Sequence, residues 1–410
     1  MARRNGGFIG TDGLDAPDPP TGVTVTAGGA SGSVAFTAPT DTGTSAITGF
    51  VAQVSTNGTD YSVGSNTGTS SPIVVSSLTN GTAHTAKVWA INAYGTSSPS
   101  DASASFSPLA PVRGLVAGGA NSSGQVNVIE YVNIASASDG VDFGDLTSTV
   151  KDNAGLASST RAVFGGGDAA NTRTDRMEYV TIDTTGNATD FGDLAAANEG
   201  LAAGGSATRG IFSGGYTGSR INVMQYITIA NTGNTTDFGD LTVGRNSNEA
   251  AGSTTRLVTV GGVETSSNAT SNIMDYVTID TTGNATDFGN LTAARQIPCC
   301  VSSNTRLVTM GGYTSDNTNI MDYITIASTG NATDFGDLSS AARSGAALSS
   351  KVTGLHAGGH GSNEDGGTGN TGKWIQAITI ATLGNSTSHG DLTEGKATGT
   401  GCSEGHGGIA

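Results

Sequence analysis

The feature that most constrains this chain is an internal repeat. A Gly-Gly pair recurs at Gly118-Gly119, Gly166-Gly167, Gly214-Gly215, Gly261-Gly262, Gly311-Gly312 and Gly358-Gly359, a period of about 48 residues. The copies are close: Arg256-Leu-Val-Thr-Val-Gly-Gly262 is matched by Arg306-Leu-Val-Thr-Met-Gly-Gly312. After each pair comes a variable polar stretch, then a segment such as Asn272-Ile-Met-Asp-Tyr-Val-Thr-Ile279. A turn and a piece such as Asn284-Ala-Thr-Asp-Phe-Gly-Asn-Leu291 complete the cassette.

Each cassette decodes into short strands. Arg-Leu-Val-Thr-Val alternates and stops at glycine, Ile-Met-Asp-Tyr-Val-Thr-Ile is β-branched and aromatic, Thr-Thr-Gly-Asn is turn chemistry, and Ala-Thr-Asp-Phe is a return strand. A fourth strand is expected in Ala-rich pieces such as Gly200-Leu-Ala-Ala-Gly204 and Gly345-Ala-Ala-Leu-Ser-Ser350. Four strands per repeat is the arithmetic of a propeller blade rather than of a solenoid coil. The first cassette starts at Arg113 without a preceding strand, while Lys396 to Glu404 is left over after the last. The C-terminal piece is therefore expected to complete the first blade, removing an open edge.

Composition agrees with an all-β chain. Gly numbers 63 of 410 residues, but there is no strict Gly-x-y period and only 9 Pro, so collagen is excluded. Charged residues are 13% and hydrophobic ones 35%, which is not the signature of disorder. The net charge of −16 argues against nucleic acid and anionic membrane surfaces as partners. No apolar stretch approaches the roughly 18 residues of a membrane span, and no apolar run follows Arg3-Arg4, so neither membrane insertion nor a Sec-type signal is expected. Cys299, Cys300 and Cys402 cannot build a disulfide framework and read as small hydrophobes in a reducing compartment.

The repeat resembles the kelch family, whose pattern is a hydrophobic strand ending in Gly-Gly, a downstream Tyr, a second aromatic and an Arg before the next strand. Here the pairs are followed by Tyr131, Tyr179, Tyr226, Tyr276 and Tyr323, and by Phe143, Phe191, Phe238, Phe288 and Phe335. Phe stands where kelch blades usually carry Trp, and the sixth copy has Ala377 and His389 at the Tyr and Phe positions. The resemblance implies a six-bladed kelch-like β-propeller of four-stranded blades over residues 111–410. Residues 18–108 resemble a fibronectin type III domain, carried by Pro19-Pro20, Ser33-Val-Ala-Phe-Thr-Ala-Pro39, Ile47 to Val54, Leu78-Thr-Asn-Gly-Thr82 and Ala86-Lys-Val-Trp-Ala-Ile-Asn92. Phe36 replaces that family's core Trp, and His84 its corner Tyr. Residues 1–17 read as a flexible arm, with Arg3, Arg4, Phe8 and Ile9 as its anchoring residues.

Three sets of residues could carry chemistry. Pairs such as Asp190 with Asp193, or Asp334 with Asp337, could act in acid/base catalysis or hold calcium, but an active site is normally unique and a near-sixfold element is expected to be scaffold. The arginines Arg113, Arg161, Arg209, Arg256 and Arg306 could recognise an anion; their periodicity favours pairing with a cassette carboxylate or a backbone carbonyl. His356, His360, His389 and His406 gather in or after the sixth copy and are candidate zinc, nickel or copper ligands. Their spacing matches no zinc signature, so solvated histidines on a divergent last blade are the favoured reading, and no cofactor, metal or catalytic residue is expected.

Arm, fibronectin-like spacer and propeller head together resemble the virion structural proteins of tailed bacteriophages. The resemblance implies a non-enzymatic tail-fibre, tail-associated or decoration protein, made in the host bacterial cytoplasm and oligomeric in the particle. It would join other virion proteins through the arm and sandwich, and meet a host-surface glycan or protein through loops such as Gly262 to Ser271 and Gly312 to Asn319. The alternatives are a carbohydrate-active propeller enzyme or lectin, which needs a non-repeated carboxylate or metal cluster, and a bacterial surface adhesin, which needs export.

Overall fold

The structure is a computed structural model that describes residues 15–28, 30–108, 112–361 and 371–403. Arg3, Arg4, Phe8, Ile9 and His406 lie outside the described residues. Every regular element within them is a strand, so the chain is all-β. It divides into two compact units, before and after Pro111.

The first unit has two antiparallel sheets. One pairs Thr21–Gly28, Ser31–Thr37 and Ile73–Val75; the other is ordered Val63–Gly68, Ile47–Ser55, Thr85–Asn92, Gly95–Thr96. Strict alternation in Thr85–Asn92 sends Ala86, Val88 and Ala90 into a core with Val34, Phe36, Phe50 and Val54, as a half-buried strand requires. Beside that strand the backbones of Ser97, Ser100 and Ser103 donate to the carbonyls of Ala90, Val88 and Ala86. Their hydroxyls accept the same residues' N–H groups at 2.9–3.0 Å, so this stretch satisfies an edge without being a regular strand. Asp15 and Ala16, inside the expected arm, belong to this unit: Asp15 O accepts Asn92 Nδ2 at 2.9 Å and Ala16 is buried.

The second unit contains six sheets of one pattern. In pairing order the second is Ala154–Ala157, Arg161–Gly165, Arg176–Thr181, Thr189–Asp193. The third is Ala202–Gly205, Arg209–Ser213, Val223–Thr228, Thr236–Asp240; the fourth Glu249–Gly252, Arg256–Val260, Ile273–Thr278, Thr286–Asn290; the fifth Cys299–Ser302, Arg306–Met310, Ile320–Thr325, Thr333–Asp337. The sixth is Ala346–Ser349, Thr353–Gly361, Thr371–Thr379, Thr387–Asp391, with Ala342–Arg343 also on Thr353–Gly361. The first runs Thr400–Ser403, Arg113–Ala117, Val128–Asn133, Val141–Asp145, so its opening strand comes from the far end of the chain. The opening strands lie side by side in cyclic order, Thr400–Ser403 between Ala346–Ser349 and Ala154–Ala157.

The repeated motifs are consumed by sheet-to-sheet bonding. Each Asp-Phe-Gly turn is a β-bulge that drives Phe into the interface; Phe288 is 2% exposed and meets Tyr276 edge-on at 5.8 Å. The glycine that follows has no room for a side chain, because a Cβ on Gly289 would lie 2.4 Å from Gly330 O of the next sheet. Next, Asn290 N donates to Asn331 Oδ1 at 3.0 Å, and the same bond links Asp145 to Asn187, Asp193 to Asn234, Asp240 to Asn284 and Asp337 to Asn385. Asp391 N repeats it onto Asp139 Oδ1 of the first sheet.

The five arginines take the carbonyl alternative. Arg256 lies over the Tyr276 ring at 4.3 Å and its Nη1 donates to Ile326 O of the next sheet at 2.7 Å. Arg113, Arg161, Arg209 and Arg306 do the same onto Ile182, Ile229, Ile279 and Ile380. Among the described residues no group of three or more His, Cys, Asp or Glu is placed to hold a metal ion.

A buried charge match runs beneath the arginines. The residue before each Tyr is Glu130, Glu178, Gln225, Asp275 and Asp322, with Gln376 in the sixth copy, all buried. Asp275 pairs with Arg245 and Asp322 with Arg295, each at 2.7 Å, and Glu130 pairs with Lys396 at 2.8 Å. Each cation sits in the link that precedes its partner's sheet, so Lys396 ties the end of the sixth cassette to the first. Where the link residue is Asn198 or Ala342, the partner is the neutral Gln225 or Gln376. Where it is Val150, Arg176 supplies the charge for Glu178 at 2.6 Å. An unpaired buried ion costs several kcal/mol, about 3–5 when one partner is removed, so charge on one side demands charge on the other.

Candidate functional site

The links between sheets converge on a ring. Asp152, Gly200, Ser247, Ile297, Ser344 and Thr398 stand two residues before the opening strands, and all are left-handed, with φ of 54°, 61°, 55°, 48°, 56° and 58°. Their backbones bond one another cyclically: Gly200 N to Asp152 O at 2.9 Å, Ser247 N to Gly200 O at 2.7 Å, Ile297 N to Ser247 O at 2.7 Å, Ser344 N to Ile297 O at 3.1 Å, Thr398 N to Ser344 O at 2.8 Å and Asp152 N to Thr398 O at 2.7 Å. The ring borders a cavity of about 60 Å³, completed by Asn153, Leu201, Asn248, Glu249, Pro298, Gly345 and Gly399.

The Gly-Gly corners bring the variable segments to the same end. Gly311 and Gly312 have φ of 60° and 110°, and a Cβ on Gly311 would lie 2.4 Å from Ala342 O, so only glycine lets the strand turn against the link. The segment that follows then pairs with a link residue beside the ring, as in Lys151 with Asp168, Glu199 with Tyr216, Asn246 with Val263, Gln296 with Tyr313, Arg343 with His360 and Ala397 with Ala120. Aromatic and cationic side chains meet there: Arg173 covers Tyr216 at 5.2 Å and Arg343 covers Tyr313 at 4.6 Å. No family model and no curated protein matches this chain.

Two carboxyls border the cavity. Burial pushes Glu249 up to about 8, with only the Ala250 N–H acting the other way. Asp152 is raised to about 6, first by burial; Lys151 opposes the shift, and Glu199 and Asp168 add to it. Cys299 and Cys300, on the neighbouring strand, are held well above the ordinary thiol range, chiefly by burial and then by the Glu249 charge, so they remain thiols and are poor nucleophiles.

The histidines do not form a solvated group. His356 is fully buried, burial lowers it to about 4, and neither ring nitrogen has a hydrogen-bond partner among the described residues. It fits because Gly345 lacks a side chain: a Cβ there would lie 2.3 Å from the imidazole. His389 is 7% exposed, occupies the Phe position and bonds Asn133 O of the first sheet at 2.8 Å through Nε2. His360 pairs its backbone with Arg343 in a different part of the sheet. The expectation of solvated side chains fails for His356, whose ring fills the space beside Gly345 of its own sheet, and for His389, which bonds across to the first sheet.

Sequence reasoning overlooked Glu249 and Asp152. The signal was available in the aligned copies: the residue two after each ring position is Ala154, Ala202, Glu249, Cys299, Ala346 and Thr400, and only one of these is a carboxylic acid.

Proposed function

We propose that the second unit is a six-bladed kelch-like β-propeller, that the first is a fibronectin type III-like sandwich, and that the chain is a non-enzymatic virion protein of a tailed bacteriophage that displays the propeller for attachment. The cyclic order of opening strands and the six-membered backbone ring support the propeller. Two facing antiparallel sheets with an alternating core support the sandwich.

One observation carries the display reading. The repeated polar motifs are engaged in bonds between sheets, whereas the described residues that follow each Gly-Gly pair, which differ from copy to copy, are brought beside the ring. A scaffold of constant bonds bearing variable loops is suited to recognition. Its ligand is a host-surface glycan or protein, met by segments such as Gly262 to Ser271 and Gly312 to Asn319.

The experiment is to purify particles from the host and locate the protein by low-resolution imaging with an antibody against the second unit. Label on the particle surface is expected; protein found only in the soluble lysate refutes the reading. Particles that still carry the protein after deletion of residues 1–17 would show that the arm is not the anchor.

A further inference from the structure

In a sixfold scaffold, side chains that break the repeat are those the scaffold does not require. The first residue of the opening strand is small and uncharged in five sheets and is Glu249 in the fourth. Glu249 is partly exposed and lines the cavity, and none of the residues lining that cavity is Lys, Arg or His.

The ring shows a second departure. Gly200 demonstrates that glycine satisfies its backbone, yet the other five positions keep side chains in the left-handed region. For the β-branched Ile297 and Thr398 that conformation costs about 1–2 kcal/mol each. Asp152, Ser247, Ser344 and Thr398 thereby bring oxygen to the cavity. Thr398 Oγ1 is buried with no hydrogen-bond partner among the described residues, although a hydroxyl can rotate to find one.

We infer that this cavity binds one univalent cation of about the size of a water molecule, of the potassium or ammonium kind, with Glu249 as its counter-charge and the hydroxyls of Ser247, Ser344 and Thr398 as oxygen donors. The volume of about 60 Å³ exceeds the roughly 10–15 Å³ that one water requires by the same measure, so there is room for such an ion with accompanying water. One positive charge suffices because, of the two carboxyls lining the cavity, Asp152 already feels Lys151, which pairs with Asp168 at 3.5 Å, and Glu249 has no cation among the lining residues. Binding exchanges a proton for the ion, the neutral carboxyl of Glu249 plus M⁺ giving carboxylate·M⁺ and a released H⁺. The neighbouring Cys299 and Cys300 stay protonated throughout, and Asp152 is the other titrating group at the cavity.

The test uses the full chain and its Glu249→Gln variant. Thermal unfolding is compared in KCl and in tetramethylammonium chloride at equal ionic strength, and proton release on adding K⁺ is followed at pH 7. Crystals grown with Tl⁺ in place of K⁺ locate the ion by anomalous scattering. The expected result is a Tm that rises by a few degrees with K⁺, about one proton released per ion, and a Tl⁺ peak in the cavity, all lost in Glu249→Gln. Should that variant not fold, Thr398→Val is expected to weaken the K⁺ response. Equal Tm in the two salts, an undiminished K⁺ response in the folded variants, or a cavity without Tl⁺ overturns the proposal.

Discussion

Removing one member of the Lys396–Glu130 pair should destabilise the second unit far more than removing both. The two groups lie 2.8 Å apart with side-chain exposures of 1% and 0%. At that distance and an effective dielectric near 20, their attraction is about 6 kcal/mol, much of it cancelled by desolvating both ions. Glu130→Gln leaves an uncompensated ammonium and Lys396→Ala an uncompensated carboxylate, each expected to cost about 3–5 kcal/mol. The double variant recreates the neutral match the chain already uses at Gln376 and Ala342, and should lie within about 2 kcal/mol of the parent. With only two tryptophans in the sequence, Trp89→Phe leaves Trp374 as a fluorescent reporter of the second unit in urea denaturation. A single variant that costs under about 1 kcal/mol, or a double variant that costs the sum of the singles, would refute the charge-matching argument.

Three further perturbations test other contacts. His356→Thr installs the residue found at the equivalent Thr259 and Thr309 and should flatten the acid side of the stability curve. The buried ring titrates near 4 instead of 6.5, so the unfolded chain binds the extra proton. Stability is full above pH 6.5 and falls toward pH 4 by about 3 kcal/mol, a loss visible as a pH-dependent urea midpoint and absent in the variant. Gly289→Ala forces a methyl against Gly330 O and should cost about 3 kcal/mol or more, read as a lowered urea midpoint. Ile297→Gly relieves the ring strain and should raise stability by about 1 kcal/mol, net of the added freedom of the unfolded chain, measured by thermal unfolding.

The all-β character was legible because its signals are local: glycine at strand ends, β-branched alternation and Gly-Asn turns each occupy a few consecutive residues. The destination of the arginines was not. A carboxylate in the same cassette and a carbonyl in the next fit the sequence equally well, and the structure selects Ile326 O for Arg256, a partner one repeat onward. The histidines misled for a related reason, since His356 depends on space vacated at Gly345 and His389 on a carbonyl of the first sheet. Glu249 lay hidden in the most weakly patterned strand, where small residues dominate and a lone acid resembles surface variation. Its place at the cavity follows from the side-by-side packing of opening strands, which no single cassette specifies.

The pairing of Thr400–Ser403 with Arg113–Ala117 has a consequence for synthesis. A ribosome makes the first sheet's second strand early and its opening strand last, so throughout translation Arg113–Ala117 presents a bare hydrogen-bonding edge that nothing made so far is meant to cover. The unit cannot complete its first sheet until Thr400–Ser403 has been made, which brings Lys396 to Glu130 in the same step. A chain cut short even a few residues before Thr400 would keep that edge exposed and invite pairing with its neighbours. The fold thus reads out whether its message was translated through Ser403, and aggregation or proteolysis would remove the copies that fail.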